Sequence, residues 1–367
     1  MPTTTAVPAI SVTELAAGAA DAELFADGPV PTDPLLLVGL DTADAASPTE
    51  LARAAHRAVD SDRLLVGLLP PAADPVRTPE WDALLTALAV TLGTGTDRNT
   101  PRTVVPVPDT AIAALRLYEN VIAQPVAALT LNSLLRLTEH LPVAQALDAE
   151  SLAYSTLLGG AGFARWADAR GKRPAPPHTP TAEPVLLRRE GDTLRLTLNR
   201  PQRRNAHSAE LRDALVAALR VAQWDDSLAH VVLDGNGPSF CSGGDLDEFG
   251  TTGDLAAAHL LRTRAGAARP LHALRERITA RLHGHCIGAG IELPAFASRV
   301  IADPATVFRL PELGMGLIPG AGGTVSIPRR IGRWRTAHMV LTGDTIDAAR
   351  ALSWGLVDGV DSVVTHR

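Results

Sequence analysis

The sequence predicts an α/β protein built in two parts, and three features carry that prediction. Short apolar runs of strand length alternate with longer segments of helical period in both halves of the chain. The segment GKRPAPPHTPTAEP, residues 171–184, carries five prolines and neither period, so it reads as an extended linker. Several turns are rich in glycine, and two of them stand beside a single acid in apolar surroundings.

In the first half, PLLLVGL (34–40) has the continuous apolar character of a buried strand. A helix comes next, because Ser47 is placed to cap it, Pro48 suits its first position, and Leu51, Ala54, Ala55 and Ala58 share one face. RLLVGLLP then supplies another strand. After the linker, VLLRRE and TLRLTLN flank a Gly191-Asp192 turn, with Leu194, Leu196 and Leu198 alternating, which predicts a hairpin. Ser208 caps a helix carrying Leu211, Leu215, Leu219 and Ala222, and HVVLDG forms the next strand. The chain thus divides into an N-terminal α/β domain (1–170), expected to be non-catalytic, the linker (171–184), and a second domain (185–367). The shared rhythm, with 123–137 placed like 276–293, allows a degenerate repeat, although any α/β domain shows this alternation.

Composition excludes several functions. A net charge of −6 with 46% hydrophobic residues describes a globular chain with no basic stripe for nucleic acid. No apolar run approaches the ~20 residues that span a bilayer, and no basic region precedes an apolar one at the N-terminus, so the expected location is the cytoplasm. Lys172 is the sole lysine, and no Gly-Lys-Ser/Thr, CxxC or HExxH pattern occurs, which removes a P-loop and gives a metal site no support. Cys241 and Cys286 read as small buried thiols rather than a disulfide.

Chemistry concentrates at two strand-to-turn corners. In NGPSFCSGGDLDEF (236–249), Gly243 and Gly244 permit close backbone approach and Asp245 can cap the next turn. In HGHCIGAGIELPAF (283–296), Gly288, Ala289 and Gly290 open a helix whose N–H groups favour an anion. One N–H from each corner, at Ser242 and Ala289, would make a two-donor hole for an oxyanion. Glu292 comes after the second corner, and Glu312 stands in RLPELGMGLIPGAGGT (309–324). A lone buried carboxylate is costly, so two such acids point to one shared, solvated site, a structural acid being the alternative. His283 and His285, two apart, are expected on one strand face as packing or pocket residues, and Trp224, Trp334 and Trp354 as packing residues.

These motifs resemble the crotonase (enoyl-CoA hydratase/isomerase) superfamily over residues 185–360. SFCSGGDLDEF is similar to the family's first oxyanion loop, GHCIGAGIELPAF and the stretch to GAGGT to its second loop and active-site helix, and LTGDTIDAARALSWGLVDGV to its C-terminal signature. The resemblance implies a spiral of ββα units that binds acyl-coenzyme A, with the thioester oxygen on the N–H groups of Ser242 and Ala289. Glu292 and Glu312 stand where the family's hydratases hold one acid for water and one for the α-proton. Gly243, Gly244, Asp245, Leu246 and Gly288 line the substrate by the same correspondence. Arg203 and Arg204 in NRPQRRNAHS lie where the family meets phosphate, and Ala206 where it meets adenine; Arg333 and Arg335 are open to either a binding or a packing reading. No cofactor is implied beyond coenzyme A as part of the substrate, and a homo-oligomer is expected.

The resemblance favours hydration or its reverse. Isomerisation, thioester hydrolysis and the oxygenation performed by a branch with a long N-terminal extension are alternatives, as is acyl-CoA binding without chemistry. After GLVDGV the chain is expected to lack the helices that usually come next in the family, and the first 170 residues are expected to supply the missing cover or another oligomer contact.

Overall fold

The computed structural model describes residues 7–26, 28–41, 46–70, 78–96, 100–171 and 183–362. Lys172 and nearly all of the proline-rich segment lie outside them. In the first part, strands β1 (Ala9–Ser11), β2 (Leu35–Gly39), β3 (Leu64–Leu68), β4 (Val90–Gly93) and β5 (Val104–Pro106) alternate with helices α1 (Val12–Ala17), α2 (Pro48–Asp60) and α3 (Pro79–Ala87). Helices α4 (Thr110–Ala123), α5 (Pro125–Glu139), α6 (Val143–Leu158) and α7 (Ala161–Arg170) complete it. The predicted start of α2 is present: Ser47 accepts the Glu50 N–H, Glu50 returns the bond, and Leu51, Ala54, Ala55 and Ala58 are buried.

The five strands form one sheet in the order β1-β2-β3-β4-β5, parallel throughout. Such strands are covered on both faces, which explains why β2 and β3 are unbroken apolar runs. Val12, Leu15, Leu51, Leu65, Trp81 and Leu84 form the core on the helical side.

The second part begins with the predicted hairpin, β6 (Val185–Glu190) and β7 (Thr193–Leu198), antiparallel from Val185–Leu198 to Glu190–Thr193. Helix α8 (Ala209–Trp224), capped by Ser208, buries Leu211, Leu215, Leu219 and Ala222, and leads to β8 (His230–Gly235). Then come α9 (Leu255–Arg264), α10 (Ala268–Ala273), β9 (Ile278–Leu282), β10 (His285–Ile287), the short α11 (Ala289–Glu292), β11 (Arg299–Ala302) and β12 (Val307–Arg309). The chain continues through α12 (Gly323–Ile331), α13 (Arg333–Thr342), β13 (Ile346–Asp347), α14 (Ala348–Trp354) and β14 (Gly359–Val360). A six-stranded sheet, β14-β11-β9-β8-β7-β6, and a three-stranded one, β10-β12-β13, result.

Three expectations need correction. The compact units are not divided at the proline-rich segment: one comprises 1–133 with 332–342, the other 134–331 with 343–367. Helices α6 and α7 belong to the second unit because they pack on α9, α12 and the turn at 312–315. Residues 332–342 belong to the first because Arg333 donates to the carbonyls of Thr86 and Leu88, Trp334 to that of Thr86, and Arg335 to that of Thr100. These arginines are therefore packing residues. The repeat also fails at the segment that suggested it. Residues 125–139 are one helix, with Ala127, Ala128, Leu131, Leu134 and Leu135 buried at helical spacing, where 278–292 form two strands and a helical turn. Trp224, read as a packing residue, is 80% exposed at the end of α8, whereas Trp354 is buried.

Among the described residues no single helix is long and apolar enough to cross a membrane. Cys241 and Cys286 are free, buried thiols, as expected.

The placement of α6 and α7 has a measurable consequence. They bury Leu147, Leu157 and Phe163 in the second unit, at roughly 1.5–3 kcal/mol for each large side chain, against a total stability of about 5–15 kcal/mol for a domain. Deletion of residues 1–183 is expected to give aggregated protein in size-exclusion chromatography. A monodisperse, fully active product would contradict that.

Candidate active site

The two glycine-rich corners lie side by side. Cys241 and Cys286 form a parallel bridge, in which the Cys241 N–H donates to the His285 carbonyl (3.3 Å) and the Ile287 N–H to the Cys241 carbonyl (3.1 Å). Gly290 sits so close to this junction that a Cβ would overlap the Cys241 carbonyl oxygen. Gly288, at φ 48°, reverses the chain into α11, and a Cβ there would lie 2.6 Å from Glu312 Oε1. Small residues are thus required by the approach of one loop to the other and of a carboxylate to the backbone.

Both predicted acids are buried, Glu292 being 3% exposed and Glu312 7%. Glu292 leaves the end of α11, and its Oε2 accepts the N–H groups of Ala321 (2.7 Å) and Gly323 (3.0 Å) at the start of α12. Its Oε1 lies 3.5 Å from the same point beside Gly288 that is 2.6 Å from Glu312 Oε1. The two oxygens are therefore separated by no more than the sum, about 6 Å, which one water spans with two hydrogen bonds of roughly 3 Å. Glu312 Oε2 is buried with no hydrogen-bond partner among the described residues. Burial raises Glu292 to about 7, with the backbone N–H groups opposing the rise. Burial, reinforced by the Glu292 charge, holds Glu312 well above the usual carboxylate range.

A cavity of about 530 Å³ opens on this pair. Of the predicted site, Gly244, Asp245, Ala289, Glu292 and Glu312 line it. The N–H groups of Gly244 and Ala289 have no acceptor among the described residues. The Ser242 N–H does have one: it donates to the Arg204 carbonyl at 3.0 Å, so the expected donor is taken, and the N–H of the first corner without an acceptor is that of Gly244, two residues further on. Gly243 faces the second corner, where a Cβ would lie 3.1 Å from the Ile287 carbonyl oxygen, and Leu246 is exposed.

The arginines expected at phosphate are otherwise placed. Arg203 Nη2 is 2.7 and 2.9 Å from the two Asp245 oxygens and 2.9 Å from Asp247, which Arg170 also meets at 2.7 Å. A guanidinium so neutralised is a loop fastener, not a free anion receptor. Arg204 is exposed in a left-handed conformation at φ 50°, and Ala206 is buried beside it. His283 Nε2 meets the Gly237 carbonyl at 2.9 Å, while Gly284, at φ 58°, breaks the strand between the two histidines, so the single-face expectation does not hold.

The sequence reading missed one wall entirely. Leu147, Glu150, Ser151, Tyr154 and Leu158 of α6 line the cavity at helical spacing. Glu150, 2% exposed, accepts the N–H groups of Gly322 (2.7 Å) and Thr324 (2.9 Å) and the Thr324 hydroxyl (2.7 Å). Tyr154 lies under the Arg262 guanidinium at 4.8 Å. No local signal marks this acid, because Ser151 and Tyr154 beside it give the stretch the look of an ordinary amphipathic helix. This helix lies within the first 170 residues. His207 also faces the cavity, and burial lowers it to about 4, so it is neutral near neutral pH. Among the described residues no cluster of side chains is arranged to hold a metal ion.

Comparison with known proteins finds relatives for about half of the chain. The enoyl-CoA hydratase/isomerase family model matches residues 188–366. A 2,3-dehydroadipyl-CoA hydratase of Escherichia coli is 39% identical over 176 residues, covering 48% of this chain and 68% of that protein. A "Probable enoyl-CoA hydratase" of Rhizobium meliloti is 34% identical over 178 residues, covering 48% and 68%. A solved enoyl-CoA hydratase of Mycobacterium smegmatis shares 31% identity over 49% of this chain and 70% of its own, at a TM-score of 0.46. The chain spans about two thirds of the length of the relatives it matches. With two adjoining glycine-rich corners, the paired glutamates behind them, a family model matched across all of these and a relative 39% identical over 68% of its length, the chain belongs to the crotonase (enoyl-CoA hydratase/isomerase) superfamily.

Proposed function

We propose that the protein is a hydratase that adds water to a 2-enoyl thioester of coenzyme A, or removes it in reverse. The observation that carries this reading is the pair Glu292 and Glu312, buried within one water's span of each other on a cavity that also receives the N–H groups of Gly244 and Ala289. The thioester oxygen accepts from those two N–H groups, which draws electron density from the double bond and stabilises the enolate that forms. Glu292, held by two N–H donors that favour its ionised form, takes a proton from the bridging water as the oxygen bonds to Cβ. Glu312, whose Oε2 has no donor to stabilise a charge, gives its proton to Cα. Water is thereby added across the double bond, and the proton left on Glu292 returns to Glu312 before the next turnover. The reaction draws on no further cofactor.

Coenzyme A is proposed to enter past His207, Ala209 and Arg212, which line the same cavity beside the first corner. The hydratases among the relatives support this reading. Incubation with a panel of 2-enoyl-CoA thioesters, read by mass spectrometry, is expected to show each accepted thioester gaining the mass of one water. Double-bond migration without mass change would replace hydration by isomerisation, and release of free coenzyme A would replace it by thioester hydrolysis.

A further inference from the structure

Among the described residues three arginines line the cavity, and two of them are paired. Arg212 meets Asp213 at 2.8 Å, and Arg269 meets Asp148 at 2.8 Å. Arg262 of α9 has no such partner. Its hydrogen bonds go to neutral oxygens of α6: Nε donates to the Ser151 hydroxyl at 3.1 Å, and Nη2 to the Ser151 carbonyl at 3.3 Å and to the Ser155 hydroxyl. Nη1 makes none among the described residues. The Tyr154 ring lies beneath the guanidinium at 4.8 Å and rests in turn on Gly320, where a Cβ would come 2.4 Å from it. The guanidinium is thus held in one plane by two serines and a ring, with one nitrogen uncommitted. Burial lowers its proton affinity, yet a guanidinium keeps its charge at any ordinary pH. Glu150 is the acid whose field reaches it, but the two form no ion pair. Both Glu150 oxygens accept from Gly322 and Thr324, and burial, with the Glu292 charge added, raises Glu150 to about 8. Near neutral pH it is largely protonated and does not neutralise Arg262. A partly desolvated cation left without an ionised partner favours an anion in the cavity that it faces.

We propose that Arg262 is a specificity-determining residue that receives a carboxylate at the end of the acyl chain, so that the preferred substrates are 2-enoyl-CoA thioesters of dicarboxylic acids. This deepens the hydratase reading and rests on it for the thioester end of the ligand. One carboxylate oxygen accepts from Nη1, while Ser151 and Ser155 keep the guanidinium oriented toward it. The surroundings suit an acyl chain. Helices α6 and α9 pack on each other and also line the cavity with Leu147, Leu158, Leu255 and Ala258, against which methylene groups can lie. The entry proposed for coenzyme A is elsewhere, at the start of α8, where Arg212 already has its acid.

The test is calorimetric binding of saturated thioesters, which have no double bond to hydrate: succinyl-, glutaryl- and adipoyl-CoA against butanoyl-, pentanoyl- and hexanoyl-CoA, matched in chain length. At least one carboxylated thioester is expected to bind the wild-type protein about tenfold or more tightly than its neutral match. Methyl esterification of its free carboxyl group should abolish that advantage. In Arg262→Met the advantage is expected to vanish, and in Arg262→Lys, which keeps the charge but not the fork, to return in part. The proposal is overturned by the absence of any preference in the wild-type protein, or by a preference unaltered in folded Arg262→Met. An equal loss of affinity for free coenzyme A in that variant would also overturn it, by placing Arg262 on a phosphate. The wild-type and ester comparisons decide the matter even where a variant at 262 does not fold. Carboxylate preference in a protein that hydrates no 2-enoyl-CoA would remove the hydratase reading and leave the carboxylate site intact. Hydration of neutral 2-enoyl thioesters with no such preference would do the reverse.

Discussion

Glu292→Gln and Glu312→Gln are each expected to lower kcat by about 10²-fold to 10⁴-fold, the usual worth of proton transfer by a positioned side chain, while acyl-CoA affinity stays within a few fold. Both substitutions suit the local bonding. In Glu292→Gln the new side-chain carbonyl can keep the N–H groups of Ala321 and Gly323 and turn its amide toward the cavity, and at 312 the altered atom replaces an oxygen that has no partner among the described residues. In the parent enzyme the rate should follow a bell. Glu292 must be ionised, so activity falls as pH drops through its raised value of about 7. Glu312 must be protonated, so activity falls again at higher pH as its own raised limit is passed. Steady-state kinetics with circular dichroism on the same samples decide the matter. A folded variant with near wild-type turnover ends the assignment at that residue, and unfolding of both would make them structural acids.

Ala289→Pro is the second large effect, an expected loss of about 100-fold or more for one oxyanion donor. The position is favourable for so drastic a change. Ala289 is the first residue of α11, where no intrahelical N–H bond is lost. The corresponding change at the first corner is not clean: Ser242→Pro would break the bond to the Arg204 carbonyl, and a Cβ at Gly244 would meet the Phe249 ring at 2.6 Å. Ser242→Ala, which keeps that N–H, should be mild. If it proved as inactive as a folded Ala289→Pro, the hydroxyl would carry the chemistry, and thioester cleavage by a serine nucleophile would displace hydration.

How far the sequence revealed this site depended on how local each signal was. The hairpin, the Ser47 and Ser208 caps and the apolar faces of α2 and α8 are set within a few residues of themselves, and all are present as read. Glu292 and Glu312 were visible because an acid among glycines and aliphatics has no local reason to be there. Ser242 was misplaced because the spacing of a loop does not show which N–H a distant carbonyl takes, and Arg203 because Asp245 and Asp247 are over forty positions away. Glu150 was hidden differently. Its stretch AESLAYS reads as an ordinary amphipathic helix, and its partners lie across the proline-rich segment. The same non-locality misplaced the boundary between the compact units.

The bonds from Gly322 and Thr324 to Glu150 close loops of 172 and 174 residues. Such closure is entropically slow and is rewarded only once the far partner exists. During synthesis α6 emerges well before the α12 turn that it must meet. Its cavity-facing stripe, with Leu147, Tyr154 and an acid awaiting its donors, has no finished surface to join until residue 324 has left the ribosome. The proposed proton chemistry of the site and the docking of α6 therefore depend on the same short run of residues, 321–324.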